Sequence, residues 1–371
     1  MRNVFLTYQV ELLVKGPVFV GSVKEISKKE YMFLNADTIG ILAGDKLYSA
    51  MRRMGKTRQF EDFLLNRGRM DLDTWLRQER IKPLDLKNCV RYELKCKELI
   101  EARRDRSKLQ IMECIKDPYG KPYIPGTSIK GMLRTILLSH DIMNDGRRYA
   151  NEKQMVTATL FGWSKSNRNT LLKREIGSME AKSFRTLKRE STKPNDAVND
   201  VMQGFVVSDS EPLVLSDLTL CQAMELHVDG DEKPLPIMRE TIKPGTKIRF
   251  SITIDTTVCP YDREGIEIAI RNFADQFNQN FGKKFSHVDN LQDNQVLLGG
   301  GAGFSSKTIV YPLYGYREGV KVTKAVFDKT GVPRIHKHDL DLKLGVSPHI
   351  MKCARYQGKL CKMGLCEVRF L

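Results

Sequence analysis

From Val4 to Val14 the chain alternates, with Phe5, Thr7, Gln9 and Glu11 set against Leu6, Tyr8, Val10 and Leu12. A period of two turns one set toward a core and predicts a strand. Lys15-Gly-Pro17 breaks the run, and Val18 to Val23 resumes an extended pattern. Between Asp45 and Arg80 the apolar spacing turns helical, through Leu47, Met51, Met54, Phe60, Phe63, Leu64, Leu72, Trp75 and Leu76. Cys89 to Ile100 and Leu109 to Ile115 predict further strands, as do Phe205 to Asp209, Leu213 to Leu226 and Lys247 to Ile254. Pro236 to Phe250 reads as two strands about a turn at Pro244-Gly245. Ile266, Ile270, Phe273, Phe277 and Phe281 then line one face of a helix. There is no short-period repeat, and the order of elements predicts an α+β fold of mainly antiparallel sheets with helices on one face.

Arg147 to Lys193 departs from this regularity. Its second half carries Lys165, Arg168, Lys173, Arg174, Lys182, Arg185, Lys188, Arg189 and Lys193 against Glu175, Glu180 and Glu190, with Ser, Asn and Thr between them. The pattern predicts an exposed, mobile basic insertion; an RNA-contacting arm and a merely solvated loop both fit it.

Composition narrows the class. At 371 residues, 41% hydrophobic and 29% charged, the chain is globular and long enough for two or more domains. No apolar run approaches a membrane span, and Met1-Arg-Asn-Val-Phe-Leu-Thr-Tyr lacks the apolar core of a signal peptide. The expected setting is cytoplasmic, with the eight cysteines reduced. Lys and Arg number 61 against 45 Asp and Glu, a formal net charge of +16. That excess points to a polyanion, nucleic acid first, although a generally basic protein would also show it.

Two segments give the charge something to work with. In Tyr123-Ile-Pro-Gly-Thr-Ser-Ile-Lys-Gly-Met-Leu-Arg134, Pro125 and Gly126 stop an extended run and Thr127 or Ser128 is placed to cap a helix. Free N–H groups and the helix dipole would make an anion site there. Lys130 and Arg134, four apart, share one face, while Ile129, Leu133, Ile136 and Leu137 form an apolar anchor on another. An ordinary helix start with a solvated basic face has the same pattern. In Val296-Leu-Leu-Gly-Gly-Gly-Ala-Gly-Phe-Ser-Ser-Lys-Thr308, Gly299, Gly300, Gly301 and Gly303 let backbone approach a ligand, with Phe304 and Lys307 following. The spacing matches neither a nucleotide P-loop nor a dinucleotide fingerprint, and a tightly packed turn is the alternative.

Catalytic and metal signals are weak. Cys353, Cys361 and Cys366 miss the tight spacing of zinc knuckles, and His336 and His338 would project oppositely on a strand. The expectation is buried thiols, surface histidines, no metal and no cofactor. Asp339 and Asp341 would share a strand face, which a solvated edge explains as well as a metal would. His140, His227 and His287 add no compelling pair for acid–base RNA cleavage.

Three segments together, Tyr123-Ile-Pro-Gly-Thr-Ser-Ile-Lys-Gly, Leu298-Gly-Gly-Gly-Ala-Gly-Phe304 and Phe205-Val-Val-Ser-Asp209, resemble the repeat-associated mysterious proteins (RAMPs) of CRISPR–Cas systems. Their order, the chain length and the C-terminal run Tyr356 to Phe370 are most similar to the fifth Csm subunits of type III-A effector complexes. The resemblance implies two tandem ferredoxin-like domains, residues 1–255 with the insertion around 147–200, and a more degenerate 256–371. It implies a non-catalytic subunit that caps the 3′ region of the crRNA beside the backbone RAMP subunit. It also implies other Csm subunits as partners, and host ribonucleases recruited to trim the crRNA. Gly126, Thr127, Ser128, Lys130 and Arg134, Lys15, and Gly299, Gly300, Gly301, Gly303, Phe304 and Lys307 are then the expected RNA contacts. Grip on phosphates alone suits a guide whose sequence varies. The rival within the resemblance is a metal-independent CRISPR RNA-processing endoribonuclease.

Overall fold

A computed structural model describes the chain except for residues 1–3, 67, 69, 100–109, 163–168, 191, 192, 194, 195 and 332–335. Three sheets organise it. The first has the order β11-β14-β1-β10-β7, from β1 (Phe5–Val14), β7 (Phe205–Val207), β10 (Lys247–Asp255), β11 (Gln295–Leu297) and β14 (Leu365–Phe370). All its neighbours are antiparallel. The second runs β13-β12-β8-β9-β6-β2, from β2 (Gly21–Ile26), β6 (Ile111–Cys114), β8 (Leu218–His227), β9 (Glu232–Ile242), β12 (Ile350–Tyr356) and β13 (Lys359–Lys362). Its β6–β9 pair is parallel. The third is a small meander of β3 (Tyr31–Asn35), β4 (Thr38–Leu42) and β5 (Val90–Lys95). The α+β class and the antiparallel character expected from the pattern are both present. Strands from either side of residue 255 share both large sheets, β14 lying on β1 and β12 on β8.

Helices α1 (Gly44–Arg53), α2 (Thr57–Leu65) and α3 (Leu72–Gln78) fill the stretch whose spacing turned helical. They cover the small sheet with a core of their own, in which Phe60 and Phe63 lie 5.4 and 5.1 Å from the Trp75 ring. Helices α4 (Gly126–Asn144), α7 (Arg263–Asn280) and α8 (Val310–Thr330) pack with the first sheet into the main core. The α7 stripe is buried as its period requires, through Ile266, Ile270, Phe273 and Phe277. Each such side chain contributes about 1.5–3 kcal/mol of hydrophobic stabilisation.

The basic insertion corrects an expectation. Its described residues form α5 (Ala150–Phe161) and α6 (Lys173–Phe184), which bury Val156, Leu160, Met179 and Phe184. Lys173, Arg174, Lys188, Arg189 and Lys193 are exposed as the composition predicts, whereas Glu152 and Glu175 are buried; Lys165 and Arg168 lie outside the described residues.

One buried acid ties the sheets together. Glu240 is fully buried; it accepts from Tyr92 OH at 2.6 Å and Cys114 N at 2.9 Å, and pairs with Lys116 Nζ. Burial, with Glu240 beside it, pushes the Tyr92 hydroxyl pKa well up. Tyr92 lies on the small sheet, Cys114 and Glu240 on the second.

Candidate nucleic-acid interface

Pro125, with extended backbone, is the residue before α4, and no side chain caps the helix from within. Thr127 and Ser128 are already inside its first turn, which corrects the expected cap. The carboxylate of Asp209, just after β7, accepts from Gly126 N at 2.7 Å instead. A Cβ at Gly126 would stand 2.3 Å from Val207 O, so the glycine admits the close crossing of β7. Lys130 Nζ donates to Met202 O at 2.8 Å, and burial lowers its pKa. Arg134 pairs with Asp200 at 2.9 Å and Glu180 at 3.3 Å, and lies over the Phe184 ring. Both cations of this helix are therefore engaged within the fold, while Thr127 is exposed.

The glycine loop after β11 is built differently. Gly299, Gly301 and Gly303 all have positive φ, the region that favours glycine. Gly300 N donates to Phe19 O at 2.7 Å, and a Cβ at Gly299 would meet that oxygen at 2.3 Å. Gly299 and Gly300 thus seat the loop on the segment after β1. Gly301 and Gly303 instead line a groove of about 300 Å³ with Arg239, Lys307 and Lys352. A Cβ at Gly301 would stand 3.3 Å from the Arg239 guanidinium.

Arg239 was not expected from the sequence. It lies half-buried on β9 beside the Phe19 ring, and its Nε is buried with no hydrogen-bond partner. Burial lowers its pKa, and no carboxylate pairs with it among the described residues. The signal was in the order Met238-Arg-Glu-Thr: neighbours on a strand face opposite ways, so Arg239 and Glu240 cannot satisfy each other. Glu240 finds Lys116, and Arg239 is left facing the groove. Lys307 is exposed, Lys352 pairs with Glu225 at 2.5 Å, and Phe304 packs against Phe327.

Lys15 joins this second group. Its N–H and that of Gly16 both donate to Leu365 O, and its ammonium lies 3.1 Å from Glu367. The start of α4 does not join it. It sits by β7, four strand spacings from β11, and the register places Val207 level with Tyr8 but Leu297 level with Lys15. Strand spacing and rise put the two on the order of 30 Å apart.

The polar residues near the C-terminus also differ from expectation. His338 and Asp339 fall in a 3-10 turn rather than on a strand. Asp341 is fully buried rather than on a solvated edge, and His349 is 5% exposed rather than at the surface. Seven cysteines are buried as expected and Cys361 is half-buried.

The RAMP superfamily model matches residues 11–304. The Csm5 protein of Mycobacterium tuberculosis (strain ATCC 25618 / H37Rv) is 32% identical over 394 residues, covering 99% of this chain and 98% of the relative. Csm5 of Streptococcus thermophilus is 28% identical over 320 residues, covering 83% and 82%. The fold is that of a chain in a solved Csm–crRNA–target RNA ternary complex of a type III-A CRISPR–Cas system, with a TM-score of 0.65 at 21% identity over 98% of this chain and 100% of that one. It is likewise that of T. onnurineus Csm5, with a TM-score of 0.61 at 20% identity, covering 96% and 99%. The chain belongs to the RAMP superfamily and, within it, to the Csm5 proteins of CRISPR systems. Among the described residues no helix is long and apolar enough to cross a membrane.

Proposed function

We propose that this chain is the end-capping subunit of a type III-A Csm complex, gripping the backbone of the crRNA near its 3′ end without cutting it. The observation that carries this is Arg239. A half-buried guanidinium with no internal anion is costly unless something fills its place, and the groove before it is open, glycine-lined and flanked by the exposed Lys307, with Lys352 held by Glu225. An RNA phosphate has the required charge and acceptors. The net charge of +16, the Csm5 relatives and the fold shared with a chain of an RNA-bound complex support the same reading. Gly299, Gly300, Gly301, Gly303, Phe304, Lys307 and Lys15 shape or flank this groove. Gly126, Thr127, Ser128, Lys130 and Arg134 form a second, weaker contact, because its cations are shared with internal acceptors.

The reading keeps two tandem ferredoxin-like units, residues 1–255 and 256–371, interlocked through β1 and β14. It includes cytoplasmic assembly with other Csm subunits, chiefly the backbone RAMP subunit, and trimming of the crRNA by recruited host ribonucleases. The test is photo-crosslinking from residue 307 in a complex co-expressed with the other subunits and a CRISPR array. Crosslinks in the 3′ region of the crRNA are expected. Crosslinks to its 5′ tag, or uniform cleavage of repeat RNA by the isolated chain, would replace the proposal with a different seat or with a nuclease.

A further inference from the structure

Four of the six histidines meet in one place. The His338 and His349 rings are 5.3 Å apart, His227 lies 5.8 Å from His349, and His336 lies 6.1 Å from His338. Two of them, His338 and His349, bond to Asp341, which is fully buried. Its Oδ2 is 3.0 Å from His338 Nδ1 and accepts from Ser347 Oγ at 2.5 Å; its Oδ1 is 2.5 Å from His349 Nδ1. The ion-pair partners of this carboxylate among the described residues are these two imidazoles; none is a lysine or arginine.

From this cluster the geometry points to a binding site for a divalent transition-metal ion, with His338, Asp341 and His349 as its ligands. One ligand atom from each of the three lies within 4.8 Å of the others. Zinc bonds of about 2.0–2.2 Å to nitrogen and oxygen imply ligand atoms about 3.3 Å apart in a tetrahedral shell. Against that spacing the His338 nitrogen, at 3.0 Å, must recede by about 0.3 Å and the His349 nitrogen, at 2.5 Å, by about 0.8 Å to admit the ion. Two imidazoles and a carboxylate suit zinc and its first-row neighbours rather than calcium or magnesium, which prefer all-oxygen shells.

The surroundings support a built site. Ser347 holds the second carboxylate oxygen, and Phe327 stacks on the His338 ring at 4.3 Å, so two of the ligands are braced from outside. A cavity of about 520 Å³ opens beside His349, lined also by His227, His336 and Glu225. His227 Nε2 is buried there with no hydrogen-bond partner, but His227 lies outside the group whose ligand atoms fall within 4.8 Å, so the fourth position is left to water. The ion would fasten the turn after α8 to the start of β12. Phe304 of the glycine loop packs on Phe327, so the same fastening would brace one wall of the groove.

The test uses the full chain, stripped with a chelator and titrated with zinc against a chromophoric competitor, then with cobalt(II) to read its visible ligand-field spectrum. One ion per chain is expected, with a spectrum of nitrogen and oxygen ligation. Cys361→Ser should leave the affinity unchanged, while His338→Gln and His349→Gln should each weaken it at least tenfold, as loss of a ligand exceeds the effect of a supporting residue. Asp341→Asn is the third variant; if it does not fold, His338→Gln, which replaces the most accessible of the three ligands, decides. No stoichiometric binding, or the same affinity in both histidine variants, would overturn the site and leave an Asp–His–Ser hydrogen-bond network.

Discussion

The start of α4 and the loop after β11 share one signature in the sequence: glycine, small polar residues, then a cation. The structure separates them by what stands opposite the charge. At α4 the helix start faces Asp209, and Arg134 faces Asp200 and Glu180, acids 83, 66 and 46 positions away in the chain from the groups they hold. At the glycine loop the charge comes from Arg239, also distant in sequence, and no acid answers it among the described residues. A glycine–cation motif therefore locates a close backbone approach. Whether the charge remains available to a ligand is decided by residues the motif does not contain.

Glycine substitutions test this contrast most strongly. Gly126→Ala forces a Cβ to within 2.3 Å of a backbone oxygen, which cannot move as a side chain could. Overpacking of that kind costs about 1–3 kcal/mol or more, so chemical denaturation should show a large loss of stability. Gly301→Ala meets the Arg239 guanidinium at 3.3 Å and strains a positive φ, at about 1–2 kcal/mol. Its main effect should be on RNA, with affinity in a fluorescence anisotropy assay falling about tenfold. If Gly301→Ala unfolds as readily as Gly126→Ala and loses RNA only in proportion, the glycine loop is a packed turn and the contrast fails.

The two arginines sharpen the same point with opposite signs. Arg239→Met should lower RNA affinity about 10- to 100-fold, as a charged hydrogen bond contributes about 1.5–3 kcal/mol. It should reduce the salt slope of binding by about 0.7 for each phosphate released. Stability should hold or rise, because a half-buried unpaired charge is removed. Arg134→Met should do the reverse, losing about 1 kcal/mol of stability with its partly exposed ion pairs, and changing the salt slope less than Arg239→Met does. Equal slopes for the two variants would make the α4 start an RNA contact of the same rank.

Much of this architecture was legible in the chain because it rests on local period. The alternation before Val14 fixes β1, the phenylalanine stripe fixes α7, and the helical spacing from Asp45 to Arg80 marks the stretch that α1, α2 and α3 share, each by which face must be buried. The turn at Pro244-Gly245 was legible through its dipeptide, and Gly245 has positive φ. Helix α8 was missed because Gly315 and Gly319 interrupt its period; Gly315 is non-helical in backbone, and Gly319 lies where a Cβ would strike Tyr311 at 2.6 Å. The helical pair in the basic insertion was hidden because its buried faces include the charged Glu152 and Glu175, which break the apolar period. The site residues divide the same way. Glycines announce themselves, whereas Arg239 and the cluster around Asp341 are assembled by pairings between distant strands and turns, which no local period encodes. His336 and His338 were misread because alternation was assumed where the backbone makes a tight turn.

The smallest expected effect is a pH dependence confined to the groove side. Lys362 is 3% exposed at the end of β13, its ammonium bonded to the carbonyl of Asp289 and its own carbonyl packed where Gly16 must lack a side chain. Burial lowers its pKa to about 8. The neighbouring Cys353 thiol is pushed up to about 12 by burial and Cys361 is raised too, so neither supplies a compensating anion near neutrality. In the unfolded chain Lys362 returns to an ordinary lysine near 10.4. Below about pH 8 both states hold the proton and the fold carries the penalty of a buried ammonium. Above it the folded chain releases the proton first, the unfolded chain binds more protons, and stability rises with pH until the unfolded lysine also titrates. From about pH 7 to about pH 8.5 the unfolding free energy should gain on the order of 1 kcal/mol, read as a higher urea midpoint. Lys362→Met should abolish that rise and stabilise the protein at neutral pH, since a methionine fills the site without a charge. Lys130, whose pKa is also lowered, lies at the other end of the comparison with Asp200 beside it. Lys130→Met should therefore leave the rise between these two pH values in place, and a rise lost equally in both variants would show that the pH response does not come from the groove.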